Sequence, residues 1–274
     1  MNFQDKVDAI ITKSNSLVCV GLDSDYAKLP ESIKSAQYPQ FEFNKAIVDA
    51  THDLVCAYKP NSAFYEARGS RGIDELKMTF DYINQNYPEI ITILDAKRGD
   101  IGNTNNGYIR FAYDYLGADS ITLHPYLGSE AIKPFLDRTD KGAIILCRTS
   151  NPGAGELQDL PIADETLYER VAKHVANSWN ANNNCMLVVG ATYPEELATI
   201  RKITKDMTFL VPGIGAQGGD VEKTVKSGLN SKNAGMIINS SRGIIFASNG
   251  TDFAEKAREE TEKLKTEINK YRHN

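Results

Sequence analysis

The sequence predicts an α/β protein, a (β/α)8 or TIM barrel formed by a single domain across residues 1–274. Three observations carry that expectation. Short apolar, β-branched runs alternate with longer stretches of helical period, eight such runs occur, and no break in composition divides the chain. Strands that are apolar on both faces belong to a parallel sheet covered by helices. Eight strand–helix units fit a closed barrel better than a doubly wound sheet.

In order, the runs lie at 17–22, 55–59, 90–95, 120–124, 143–147, 186–190, 209–211 and 235–239. Ahead of them, the segment 1–14 mixes Asp5, Lys6 and Asp8 with Val7, Ile10 and Ile11, which predicts an amphipathic helix rather than a signal peptide's unbroken apolar stretch. After the second run, Ile73, Leu76, Phe80 and Ile83 share one helical stripe. After the fifth, Leu167, Val171, Val175 and Trp179 recur at intervals of four and predict another. At the end, Phe253, Ala257, Leu264, Ile268 and Tyr271 face one way, while Glu255, Arg258, Glu259, Glu262 and Lys265 face water. Asp220 before Val221 and Thr251 before Phe253 are the expected helix caps.

Composition excludes several function classes. A formal net charge of −5 argues against non-specific nucleic-acid binding, which selects a basic footprint. No apolar run is long enough to span a bilayer, and the cytoplasm is the expected location. Cys19, Cys56, Cys147 and Cys185 are far apart and sit in apolar, strand-like runs, as buried free thiols do. His52, His124, His174 and His273 are equally scattered, so no zinc cluster is expected. His124, ending the fourth run before Pro125, reads as a packed, hydrogen-bonded histidine.

In a barrel, functional residues belong where strands end. The third run ends in Leu94-Asp95-Ala96-Lys97-Arg98-Gly99-Asp100-Ile101, two carboxylates and a lysine in close order. Asp95 and Lys97 are two apart, so an extended strand points both to one face, where they should touch. An ammonium among carboxylates can deliver a proton to carbon as a general acid; a solvated salt bridge is the plainer reading of the string alone. Lys59, ending the second run before Pro60-Asn61, adds a cation able to neutralise Asp95 from the other side. Asp23, after Gly21-Leu22, can accept hydrogen bonds from sugar hydroxyls or cap a turn.

The glycine-rich stretch from Val211 to Asp220 precedes a helix and offers free N–H groups to an anion, and Arg242 in Asn239-Ser240-Ser241-Arg242-Gly243 can fork two hydrogen bonds onto a phosphate. The stretch from Arg148 to Gly155 is long and polar and suits a lid. Within it Ser150 can read a heterocycle edge or simply serve a turn.

Together these motifs resemble the orotidine 5′-phosphate decarboxylase family at nearly every strand end from Val20 to Phe246. The string from Leu94 to Thr104 resembles the family's signature, and Lys59-Pro60-Asn61-Ser62-Ala63-Phe64-Tyr65-Glu66 its longer-chain, bacterial-type branch. The resemblance implies a homodimeric barrel that converts orotidine 5′-phosphate to uridine 5′-phosphate, the last step of pyrimidine nucleotide synthesis, without cofactor or metal. It implies a catalytic tetrad of Lys59, Asp95, Lys97 and Asp100, with Asp100 reaching into the partner subunit's site and Lys97 protonating the pyrimidine carbon. Asp23 would bind the ribose, Thr104 would contact substrate across the dimer, Ser150 would read the pyrimidine, and Gln217 and Arg242 would grip the phosphate. Two alternatives stand beside it: a magnesium-dependent sugar-phosphate decarboxylase or aldolase of the same superfamily, which places an acidic metal ligand where this chain has Lys59, and a non-catalytic nucleotide-binding barrel.

Overall fold

A computed structural model of the chain describes residues 2–214 and 218–272. Eight parallel strands close into a barrel: β1 Val18–Gly21, β2 Ala57–Lys59, β3 Ile91–Arg98, β4 Ser120–Leu123, β5 Gly142–Arg148, β6 Cys185–Val189, β7 Phe209–Pro212 and β8 Met236–Ser240. Each strand pairs with its neighbours in sequence, and β8 closes on β1 through Val18↔Ile238 and Cys19↔Asn239. Most of their side chains are buried, because barrel side chains fill the interior or meet the outer helices; the exceptions, led by Lys97, include the ends of β3 and β7. The four cysteines lie in this apolar core without disulfides, and burial pushes the thiols of Cys56 and Cys185 up to about 12, which leaves them unreactive.

The amphipathic start forms a helix, Phe3–Ser14, which closes the end of the barrel where the strands begin. The Phe3 ring fills the space left by the missing side chain of Gly142, Lys6 pairs with Asp119 at 2.7 Å, and Gln4 bonds Thr208 at 3.0 Å. Burying Phe3, Val7, Ile10 and Ile11 stabilises that closure by about 1.5–3 kcal/mol for each side chain. The last helix, Phe253–Arg272, buries Phe253, Ala257, Leu264 and Ile268 as its pattern predicts.

Four local expectations need correction. The third strand runs past Asp95 to Arg98, with a register shift against β4 between Leu94 and Arg98. In helix Leu167–His174 and its continuation Val175–Trp179, the buried positions are Tyr168, Ala172 and Val175. A strict interval of four runs ahead of the helical turn by about 40° per step, so four such residues cannot share a narrow face. The last helix is capped at Asp252 rather than Thr251, since the Asp252 carbonyl accepts the Lys256 N–H at 3.0 Å; Asp220 does cap its helix, accepting from Lys223 N–H at 3.0 Å. Finally, the loop after β5 contains a small antiparallel pair, Pro161–Ile162 with Glu165–Thr166, too short to show in the pattern. No helix among the described residues is long and apolar enough to cross a membrane.

Candidate active site

The strand ends converge on a cavity of about 270 Å³. Its lining includes the polar residues Asp23, Lys59, Asn61, Asp95, Lys97 and Thr122, the apolar residues Leu146, Val188, Leu210 and Pro212, and Ser241, Arg242 and Gly243 together with Gly213 and Ile214.

Asp95 is the hub. Its Oδ2 lies 3.0 Å from Lys59 Nζ and accepts from Asn61 Nδ2 at 3.3 Å. Its Oδ1 accepts from Lys97 Nζ at 2.6 Å and from the Thr122 hydroxyl at 2.9 Å. Burial alone would raise the Asp95 carboxyl, but the ammoniums of Lys59 and Lys97 outweigh it and hold the group well below the usual carboxylate range. Lys59 is almost fully buried, at 4% exposure. Desolvation would strip its proton, yet Asp23 at 3.7 Å and Asp95 outweigh that and push the ammonium above its ordinary range. The result is an array, Asp23, Lys59, Asp95, Lys97, alternating in sign and running from the buried Lys59 and Asp95 to the half-exposed Lys97.

The backbone places these groups. Leu22 N–H donates to Lys59 O at 3.0 Å, Asp95 N–H to Pro60 O at 2.9 Å, and Ser62 N–H to Asp95 O at 3.1 Å, which locks the ends of β1, β2 and β3 side by side. Lys97 adopts φ +49°, a conformation lysine disfavours. Asp95 and Lys97 do touch, but strand alternation is not the reason: the backbone leaves the extended form at Lys97, and the turn brings Nζ back. The Ser241 hydroxyl donates to Asp23 Oδ2 at 2.8 Å and reaches Gly21 O at 3.0 Å. That approach requires glycine at 21, because a Cβ there would lie 2.8 Å from Ser241 Cβ.

Of the sequence-predicted residues, Asp23, Lys59, Asp95, Lys97 and Arg242 surround the cavity. Ser150 is not among its lining residues; its neighbour Thr149 is, while Ser150 packs on Gly190, where a Cβ would lie 2.8 Å from Ser150 Cα. Asp100 and Thr104 also lie off this chain's cavity, on a segment held by Asn105, which accepts Asp100 N–H at 2.8 Å and donates to Ala131 O at 2.7 Å. Gln217 lies outside the described residues. The expected lid is tethered: Thr149 N–H donates to Gln158 Oε1 at 2.8 Å, and Arg148 bonds Asp159 at 3.0 Å while stacking on Tyr193 at 4.0 Å. His124 departs from expectation, for its ring Nδ1 has no hydrogen-bond partner among the described residues.

Sequence reasoning missed Asn61, Thr122 and Ser241. Asn61 and Ser241 adjoin residues it singled out, and Thr122 is a polar position inside an apolar run. Among the described residues no group of three or more His, Cys, Asp or Glu side chains is placed to hold a metal ion.

A closed parallel barrel with this charge array where its strands end has the arrangement of a (β/α)8-barrel enzyme, whose active site lies at that face. The chain belongs to the orotidine 5′-phosphate decarboxylase / HUMPS family, whose sequence profile it matches over residues 16–257. It is 49% identical over 247 residues to the orotidine 5′-phosphate decarboxylase of Cellvibrio japonicus, covering 89% of this chain and 90% of that one. The enzyme of that name from Cupriavidus metallidurans is 46% identical over 273 residues and the full length of both chains. Among solved structures, the Leishmania donovani OMP decarboxylase superposes with a TM-score of 0.86 at 37% identity, covering all of both chains.

Proposed function

We infer that the chain decarboxylates orotidine 5′-phosphate to uridine 5′-phosphate in pyrimidine nucleotide synthesis, with Lys97 as proton donor. The observation that carries the mechanism is the Lys97–Asp95–Lys59 array at 2.6 and 3.0 Å.

Asp95, kept ionised by two ammoniums, faces the substrate's own carboxylate, and their repulsion ends when carbon dioxide departs. The carbon–carbon bond breaks with its electron pair left on the ring carbon. Lys97 stabilises that developing charge without reorganising and then transfers its proton to the carbon, leaving a neutral amine. The Lys97 side chain is half exposed, at 50%, so water can restore the proton. Asp23 accepts from ribose hydroxyls, the apolar wall takes the pyrimidine face, and Arg242 with the 213–220 loop takes the phosphate, whose binding favours the charge-developing state. Ser150 and Gln217 complete the ring and phosphate contacts in this reading.

Asp100 and Thr104 act across a homodimer. The support for that is exposure of Ile101, Tyr126 and Leu127, large apolar side chains on the two loops that meet where Gly99 approaches His124. The magnesium-dependent alternative is disfavoured by Lys59, whose ammonium sits between the carboxylates a cation would need. A spectrophotometric assay with orotidine 5′-phosphate and excess chelator tests the reading. Turnover that survives chelation supports it, and absence of turnover, or turnover only with added magnesium, overturns it.

A further inference from the structure

Strand pairing leaves a local deficit beside the array. Between the paired positions Leu94↔Ile121 and Arg98↔Leu123, β3 spends more residues than β4, so a bulge forms over 95–97. The backbone N–H groups of Ala96 and Lys97 therefore lose their ladder partners, and buried donors left unpaired are costly. Both donate instead to one side chain on β4: Ala96 N–H to Thr122 Oγ1 at 3.0 Å and Lys97 N–H to the same oxygen at 2.9 Å. The hydroxyl proton points the other way, to Asp95 Oδ1 at 2.9 Å. A hydroxyl has one proton and two lone pairs, and all are used here.

We propose that Thr122 is a positioning residue: its hydroxyl clamps the left-handed turn of Lys97 to the Asp95 carboxylate and so sets where the proton-donating ammonium stands. Thr122 is 1% exposed where it lines the cavity wall, so bulk solvent has little access to these bonds. Lys97 at φ +49° is in a region lysine leaves unless neighbours hold it. The clamp gives the oxygen that receives Lys97 Nζ a second donor, leaving Lys59 and Asn61 on the opposite oxygen. The hydroxyl thus acts on the reaction through Lys97 and Asp95, and this inference rests on the decarboxylase reading above.

Thr122→Val keeps the shape and removes the hydroxyl, and Thr122→Ser keeps the hydroxyl. In the full-length enzyme, Thr122→Val should lower kcat about tenfold to 100-fold, the scale of one lost bond to a charged group, with uridine 5′-phosphate affinity within about twofold of wild type. Thr122→Ser should recover kcat to within about threefold of wild type. A crystal structure of Thr122→Val should show Lys97 out of the left-handed region and its Nζ withdrawn from Asp95. Unchanged kcat in Thr122→Val, equal losses in Val and Ser variants, or an unmoved Lys97 overturns the proposal. Should Thr122→Val fail to fold, Thr122→Ala is read against Thr122→Ser in the same way. The crystallographic readout stands whatever the substrate, whereas failure of the wild type to turn over orotidine 5′-phosphate sinks only the underlying reading.

Discussion

Lys97 Nζ stands 2.6 Å from Asp95 Oδ1 because the backbone at Lys97 turns left-handed, at φ +49°. The same carboxylate meets the buried Lys59 through its other oxygen. One anion thus organises two cations in different surroundings: Lys59 is sealed in the wall, and Lys97 is half exposed.

Lys97→Ala removes the proposed proton donor while leaving the phosphate end and the apolar wall intact. Turnover should fall by about 10²–10⁴-fold or more, with binding of uridine 5′-phosphate largely retained. Steady-state kinetics beside calorimetric titration measure the two effects. A variant with near-wild-type kcat removes Lys97 from the mechanism.

Asp95→Asn tests the hub through stability. Breaking a buried ion pair costs roughly 3–5 kcal/mol, here because Lys59 would lose its nearest anion. The Asp95 carboxyl is depressed in the folded state, so as pH falls the unfolded chain, with its carboxyl near about 3.9, takes up the proton first. The contribution is therefore complete above that value and lost as pH falls through the folded one. Lys59 is raised, so its contribution is complete below about 10.4 and lost only as pH rises beyond it. Denaturant melts should show a constant gap between wild type and Asp95→Asn near neutrality that closes below about pH 4. A gap that widens in acid contradicts this assignment.

Arg242 lines the cavity, is exposed, and begins the short helix Arg242–Ile245. Arg242→Ala should weaken uridine 5′-phosphate binding by about 10- to 100-fold, the worth of a bidentate, charge-assisted contact, and leave uridine binding unchanged. Equal losses for nucleotide and nucleoside would mean that Arg242 supports the fold of the mouth rather than a phosphate.

If Asp100 completes the partner's site, two inactive variants should rescue one another. Mixing Lys97→Ala subunits with Asp100→Asn subunits, under conditions that allow exchange, pairs an intact Lys97 with an intact Asp100 in one site of each mixed dimer. About a quarter of wild-type activity should return, because half of the dimers are mixed and one site in each is whole. A mixture as inactive as its components places both residues in one chain.

What the sequence by itself determined is the barrel and the cast at its mouth. Both-face apolar runs demand a covered parallel sheet, and ending those runs in Asp23, Lys59 and Asp95 places charge where a barrel opens. Helical phase was legible for Phe253–Arg272 but not for Leu167–Trp179, since an interval of four drifts off any single face. Only the tertiary structure decided how the charges meet. Thr122 and Asp95 are 27 residues apart, and neither the bulge that frees two backbone donors nor the oxygen that takes them exists until β3 lies against β4. The left-handed turn at Lys97, the hydroxyl of Ser241 on Asp23 and the placement of Thr149 rather than Ser150 at the cavity follow from the same cause. Local pattern records which side chains a strand can present; the distances between strands arise on closure, when hydrogen bonds across the ring choose among them.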